Sequence, residues 1–162
     1  WEVRWVAPFT EWHYAKIGRT GYHMNNLSQG GLVQASDSTV ESVLRGRVSD
    51  KDIQSHANDF LKRSAEVANR ALFVLHSIQD DIAGHMVPAQ WVEHFRGTFL
   101  VVDITGVWNE NDHCLEPIIV ECQPGGSLSG LYQINPDGYH AMRDACITQI
   151  NGALHLIKNS HA

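Results

Sequence analysis

Several features that identify common protein classes are scarce in this sequence. The 162 residues include only three cysteines, Cys114, Cys122 and Cys146, and their odd number and spacing do not suit a disulfide framework. We therefore expect a reducing, cytoplasmic location. No apolar run approaches the length of a membrane span, which predicts no membrane partner. Lysine and arginine form no run and the net charge is −6, so the sequence predicts no nucleic-acid partner.

The composition fits one globular domain. Hydrophobic residues make up 43% of the chain, enough for a core, and no internal repeat is visible. The chain starts at Trp1 within a run that already predicts a core strand. We therefore expect it to be part of a longer protein.

The hydrophobic periodicity predicts an α+β fold. A long helix should begin near Ser49 and carry an apolar stripe to Ile78, and a final helix should carry a stripe from Met142 to Ile157. We expect an antiparallel sheet covered on one face by these two helices, packed side by side. The remaining predicted elements are strands at 1–9, 12–17 and 32–35, a short helix at 36–47, and an added helical turn with an aromatic face within 80–97.

The most informative stretch is a predicted hairpin. Two runs rich in β-branched and large apolar residues, 99–105 and 117–126, contain Asp103 and Glu121, and a long polar loop at 108–116 should join them. Adjacent antiparallel strands would bring the two acids together. Buried carboxylates are costly without a positive partner, and hard oxygen ligands suit Mg²⁺, with Gln123 adding a third oxygen on the face of Glu121. The alternative is structural, with Asp103 as a strand-end turn residue and Glu121 paired to an arginine.

Two motifs in this hairpin resemble a known family. The sequences Val102-Asp103-Ile104 and Ile119-Val120-Glu121-Cys122-Gln123-Pro124-Gly125 are similar to the metal-binding hairpin of ATP-grasp carboxylate-amine ligases. In that family an acid on one strand and Glu-x-Asn on the next hold two Mg²⁺ ions against the ATP phosphates. Gln123 stands where the family usually has Asn, which keeps the amide oxygen and adds a methylene.

An arginine on the first strand extends the resemblance. Glu2-Val3-Arg4 resembles the acid-x-Arg of these ligases, whose arginine reaches the terminal phosphate and the acyl phosphate. A guanidinium suits that role because its planar fork is always charged and binds two oxygens at once. From the residues alone, Arg4 would instead be an exposed strand arginine paired to Glu2 or Glu11.

A glycine-rich stretch, 18–31, is similar to the family loop that covers the phosphates and the acceptor site. The matching residues are Arg19, Asn26-Leu27 and Gly30-Gly31. Glycines allow close backbone approach, so the stretch could bind an anion through backbone N–H groups. The alternative is a glycine-rich hairpin loop that binds no ligand.

The resemblance implies that residues 1–162 form the C-terminal, catalytic portion of an ATP-grasp ligase. Two Mg²⁺ ions would be held by Asp103, Glu121 and Gln123, and ATP would be the co-substrate. Arg4 and Arg19 would be the catalytic residues that contact the phosphates. Asn26, Gly30 and Gly31 would bind the nucleotide.

The activity implied is peptide or amide bond formation through an acyl phosphate. The expected partners are amino acid or peptide substrates, the N-terminal remainder of the protein that binds ATP, and a second copy paired through an edge strand that begins at Trp1. The main alternative is a non-catalytic ATP-grasp-like binding or assembly module with Trp91 and Phe95 on its contact surface. A metal- or phosphate-binding domain of unrelated fold is a further alternative.

Overall fold

A computed structural model describes residues 1–18, 30–86, 99–124 and 128–160 of the chain. Within these ranges the chain forms five strands and four helices. The strands are β1 (Glu2–Ala7), β2 (His13–Ile17), β3 (Leu32–Gln34), β4 (Leu100–Asn109) and β5 (Cys114–Pro124). The helices are α1 (Ser36–Leu44), α2 (Ile53–Met86), α3 (Ser129–Ile134) and α4 (Pro136–Ser160). The predicted α+β class is confirmed.

The described strands form one antiparallel sheet in the order β3-β2-β1-β4-β5. β1 is central and pairs with β2 on one side and with β4 on the other, so the prediction of an edge strand beginning at Trp1 is wrong. A β-bulge interrupts the β4–β5 ladder just after Asp103. Asp103 pairs with Glu121 and Ile104 with Ile119, so Val120 is the extra residue in β5. The strands that carry the predicted site are therefore neighbours at the centre and one edge of the sheet.

One face of the sheet packs against α1 and α2. Val3 and Trp5 of β1, and Val102 and Ile104 of β4, are almost fully buried there. Phe60 of the α2 stripe is fully buried in the same core. Burying a large apolar side chain contributes about 1.5–3 kcal/mol, so the predicted stripe of the long helix is the main contact on this face.

The opposite face carries a smaller core. Because side chains alternate along a strand, Val6 and Val101 point away from α2, and they pack with Leu131 of α3 and Met142 of α4. Helices therefore cover parts of both faces, and the prediction that all of them lie on one face is wrong. Met142 begins the predicted C-terminal stripe, and it contacts the face of the sheet opposite the long helix.

The β4–β5 hairpin is tighter than predicted. β4 continues to Asn109 and β5 starts at Cys114, so most of the expected loop is strand. Leu115 is buried in the core, which explains the extra pairing. The Asn109 side chain closes the turn by accepting hydrogen bonds from the backbone N–H groups of Asn111 and Asp112.

The start of α4 has a sequence, Pro136-Asp137-Gly138, that is also typical of a tight turn. Pro136 is the first helical residue, a position where proline's missing N–H and fixed φ are favourable. Asn135 caps the helix by accepting a hydrogen bond of 2.9 Å from the Gly138 N–H. The Pro-Asp-Gly sequence is therefore a helix start, since an N-terminal first turn and a tight turn share the same residue types.

The long helix also ends later than its apolar stripe. α2 continues to Met86, so it includes part of the region where an added helical turn was expected. Trp91 and Phe95 lie outside the described residues. In the part of the chain that the structure describes, no helix has both the length and the apolarity needed to cross a membrane.

Candidate functional site

Charged side chains form a row across the middle of the sheet. Arg4 of β1 lies directly opposite Asp103 of β4, and Asp103 lies opposite Glu121 of β5. Tyr14 of β2 lies opposite Arg4 on its other side. Directly opposed residues share a face, so all four are on the face away from α2. The prediction that neighbouring strands bring Asp103 and Glu121 together is confirmed.

Arg4 and Asp103 form a bidentate ion pair at the centre of this row. Arg4 Nε donates to Asp103 Oδ1 at 2.7 Å, and Arg4 Nη2 donates to Oδ2 at 2.6 Å. Asp103 is 1% exposed and Arg4 is 7% exposed. Arg4 is therefore not the exposed strand arginine of the alternative interpretation. The structural alternative did expect an acid–arginine pair, but it placed the pair on Glu121.

A second cation completes the buried cluster. Lys16 Nζ of β2 donates to Asp103 Oδ2 at 2.7 Å and lies 2.9 Å from Glu2 Oε2. Lys16 is 3% exposed. Glu2, Arg4, Lys16 and Asp103 thus form a group of two acids and two bases with balanced formal charge. Each buried charge has an opposite partner, which is the condition for keeping such groups ionised in a protein interior.

The pKa values in the row follow from burial and from this pairing. Burial alone would lower the pKa of Arg4, but the hydrogen bond and charge of Asp103 outweigh it and raise that pKa above its ordinary value. Burial raises the pKa of Tyr14, and the neighbouring Arg4 charge opposes that rise. Both groups therefore keep their usual protonation state at neutral pH: Arg4 is a cation and Tyr14 is a neutral phenol.

Tyr14 joins the charged row to the small core. Its hydroxyl is hydrogen-bonded to the Arg4 guanidinium and to the backbone of Gly130 in α3. A Cβ on Gly130 would lie 2.3 Å from the Tyr14 ring, so glycine is needed for this close approach. The Ser129-Gly130-Leu131 segment therefore contacts Arg4 indirectly, through Tyr14.

Glu121 and Gln123 lie at the accessible end of the row. Glu121 is exposed, and its Oε1 accepts a hydrogen bond from Gln123 Nε2. Their oxygens, with those of Asp103, are the predicted Mg²⁺ ligands. Among the described residues, no three His, Cys, Asp or Glu side chains are grouped so as to hold a metal ion. The predicted set contains two carboxylates and one amide, and both Asp103 oxygens already accept hydrogen bonds from Arg4 or Lys16.

The glycine-rich stretch is described only at its end. Gly30 has a φ of +88°, a conformation that favours glycine, and with Gly31 it leads directly into the edge strand β3. Arg19 and Asn26 lie outside the described residues. The structure thus places two of the predicted nucleotide-binding residues at the β3 edge of the sheet.

A cavity of about 520 Å³ lies beside the charged row. It is lined by Glu2 and Thr105 from the strands of the row, by Gln34 of β3, and by Thr39 and Ser42 of α1. This volume falls within the range of about 300–1,000 Å³ that is usual for small-molecule sites. The lining combines one carboxylate with hydroxyl and amide groups that can hydrogen-bond a ligand, and with the apolar side chains of Trp1, Ile17, Val43 and Val120.

Sequence reasoning missed Lys16 and Tyr14. Both sit on β2, two residues apart, so strand alternation places them on one face beside Arg4. A lysine and a tyrosine at alternate positions around the small Ala15 were the available signal. It carried little weight because an exposed strand with polar residues on its solvent side would show the same pattern.

Comparisons with known proteins add no assignment. A scan against models of protein families, a search of characterised proteins and a search of solved structures each found no match to this chain.

Proposed function

We propose that this chain is the C-terminal catalytic portion of an ATP- and Mg²⁺-dependent carboxylate-amine ligase of the ATP-grasp type. The observation that carries the proposal is the row of Arg4, Asp103 and Glu121, which lie directly opposite one another on three adjacent strands. The sequence motifs that suggested this chemistry are far apart along the chain, and the sheet register brings these three residues together on one face.

The residue types fit the chemistry of phosphoryl transfer to a carboxylate. This reaction needs positioning of the phosphates and neutralisation of their charge rather than a covalent step by the protein. Arg4 would bind the terminal phosphate and the acyl phosphate through its fork. Asp103, Glu121 and Gln123 supply hard oxygen ligands of the kind that Mg²⁺ prefers. When bound, Mg²⁺ supplies charge neutralisation at the phosphate oxygens.

The buried pairing is compatible with ligand binding because a magnesium–polyphosphate complex carries charges of both signs. In the unliganded chain Arg4 and Lys16 neutralise Asp103 and Glu2. A magnesium–polyphosphate complex brings cations for the acids and anions for the bases. Partners can thus be exchanged without leaving an unpaired buried charge, which would be strongly unfavourable.

An amine acceptor would then attack the acyl phosphate, with an amide and inorganic phosphate as products. The polar cavity beside Glu2 and Thr105 adjoins the row and has room for an amino acid or a short peptide.

The second candidate is a non-catalytic binding or assembly module. It is favoured by one observation: Asp103 is 1% exposed, and both of its oxygens accept hydrogen bonds from Arg4 or Lys16. A complete buried network of this kind can stabilise or specify a fold without binding anything.

A binding experiment on the chain separates the two candidates. Inorganic tripolyphosphate is the probe, because it needs no adenine contact, and its binding is measured by calorimetry with and without Mg²⁺. The ligase proposal expects Mg²⁺-dependent binding that Asp103→Asn and Glu121→Gln each weaken by roughly tenfold or more. Glu66→Gln on the exposed side of α2 is the matched control and should bind like the unaltered chain.

Two outcomes would count against the ligase. Either the unaltered chain binds no tripolyphosphate with Mg²⁺, or both site variants bind as tightly as the control. In either case the row is structural and the module is favoured. If binding is found, amine-dependent release of phosphate from ATP by the protein joined to its nucleotide-binding part tests the reaction itself.

A further inference from the structure

Lys16 is a buried cation whose role the proposed reaction leaves open. It lies on β2 with 3% of its surface exposed, on the same face as Arg4. Its ammonium donates to Asp103 Oδ2 at 2.7 Å and lies 2.9 Å from Glu2 Oε2. An ammonium has three N–H donors, and among the described residues these two carboxylates are its only partners. One donor therefore has no acceptor in that part of the chain.

Neutralisation of Asp103 does not require Lys16. Arg4 alone gives each Asp103 oxygen a charged hydrogen bond, so Lys16 is a second cation on an oxygen that is already satisfied. Burying an ammonium is costly, and a lysine in this position is more than a counterion for Asp103 needs. Its other partner, Glu2, also lines the cavity, so Lys16 contacts a residue of the cavity wall.

A metal ion on Asp103 would conflict with this arrangement. Both cations contact the carboxylate, and like charges at such distances repel. Arg4 is fixed by two parallel hydrogen bonds, whereas Lys16 carries a point charge on a flexible four-carbon stem. Lys16 is therefore the cation that can leave Asp103 with the smaller change in structure.

We propose that Lys16 is a phosphate-binding residue of the site: it neutralises Asp103 and Glu2 in the metal-free chain and moves to a phosphate oxygen of a bound magnesium–polyphosphate. This inference rests on the proposed function. It assigns the ligand class as a polyphosphate or acyl phosphate and makes Lys16 a competitor of Mg²⁺ for Asp103.

The inference predicts effects of opposite sign on two ligands. In Lys16→Met the affinity for magnesium–tripolyphosphate should fall by roughly ten- to a hundredfold, because a charged hydrogen bond to phosphate is lost. Binding of Mg²⁺ alone should become tighter, since a competing cation has been removed. Lys16→Arg should keep most of the polyphosphate affinity. A counterion that does not contact the ligand would leave the polyphosphate affinity nearly unchanged, although its removal would still tighten Mg²⁺ binding through charge alone.

Calorimetric titrations of the full chain with Mg²⁺ and with tripolyphosphate test both effects, with Lys62→Met on the exposed side of α2 as the matched control. If the unaltered chain binds no magnesium–tripolyphosphate, the proposed function fails and the inference fails with it. If the unaltered chain binds and Lys16→Met binds equally well, only the Lys16 inference is overturned.

A second variant covers the case in which Lys16→Met does not fold. Glu2→Gln removes the other anion that holds Lys16, and the Glu2 side chain is 17% exposed, so this change is milder. It should tighten magnesium–tripolyphosphate binding by a few-fold, because Lys16 is then held less strongly in its metal-free position. Unchanged or weaker binding in this variant overturns the inference.

Discussion

The guanidinium of Arg4 and the carboxylate of Asp103 meet across β1 and β4 through two hydrogen bonds of 2.7 and 2.6 Å, although 98 residues separate them along the chain. The arginine and the acid that the family resemblance assigned to different ligands are thus each other's partner in the unliganded chain. The predictions below separate the structural role of this pair from its proposed role in binding.

Asp103→Asn should destabilise the fold far more than Glu121→Gln. The first change leaves the buried Arg4 opposite a neutral partner, and loss of one member of a buried ion pair costs about 3–5 kcal/mol. Glu121 is exposed, so its change should stay within about 0.5 kcal/mol. Urea unfolding of both variants gives the two free energies. Equal losses would mean that the buried pair contributes little to stability.

Replacing both members of the pair should restore stability without restoring binding. In Arg4→Met with Asp103→Leu, no unpaired charge remains at these two positions, and buried ion pairs can be replaced by apolar residues at little cost or with a gain. We expect the double variant to be more stable than either single variant by about 2 kcal/mol or more. Magnesium–tripolyphosphate should not bind to it. Additive losses in the urea unfolding of the three variants would contradict this prediction.

Two glycine-to-alanine changes should have opposite effects. At Gly130 a Cβ would lie 2.3 Å from the Tyr14 ring, so α3 or Tyr14 must shift, at a cost of about 1–3 kcal/mol. At Gly152, within α4, no heavy atom lies within 4 Å of an added Cβ, and alanine should stabilise the helix by about 0.5–1 kcal/mol. Thermal unfolding measures both. Equal changes in melting temperature for the two variants would mean that the close approach of Gly130 to Tyr14 does not limit stability.

The free energy of unfolding should decrease as the pH is lowered, because His13 titrates. Burial lowers the pKa of His13 below its ordinary value of 6.5, and the charge of Asp37 opposes this only in part. The folded state then disfavours the protonated ring, so its stability is complete above pH 6.5 and declines as the pH falls below that value through the folded-state pKa. Urea unfolding between pH 7.5 and 5.5 measures the slope.

The variant His13→Phe tests the origin of that slope. His13 stacks on Trp5 with ring centroids 4.4 Å apart and is hydrogen-bonded through Nδ1 to Ser36 Oγ at 2.8 Å. Phenylalanine keeps an aromatic ring against Trp5 and does not titrate. The pH dependence over this interval should therefore become flatter in the variant. An unchanged slope would assign the effect to other groups.

The sequence by itself determined most of the secondary structure and the class of the fold. The apolar stripe of α2 and the β-branched runs of β1, β4 and β5 are local patterns with distinct periods, so they could be recognised without a structure. The pairing of Asp103 with Glu121 was also predictable, because consecutive antiparallel strands joined by a turn have few alternative registers. Local signals were ambiguous where the same residue types start a helix or form a tight turn, as at Pro136.

Only the tertiary structure decided which charges meet and which are buried. Arg4, Lys16 and Asp103 come from three strands whose neighbours in the sheet are set by long-range packing, and sequence periodicity gives the face of a residue but not its partner. The same holds for α3, which lies across Tyr14 because Gly130 has no side chain to prevent it. The sequence shows residue types that would suit a phosphate and metal site. The order of the strands decides that the charges of Arg4 and Lys16 neutralise that of Asp103.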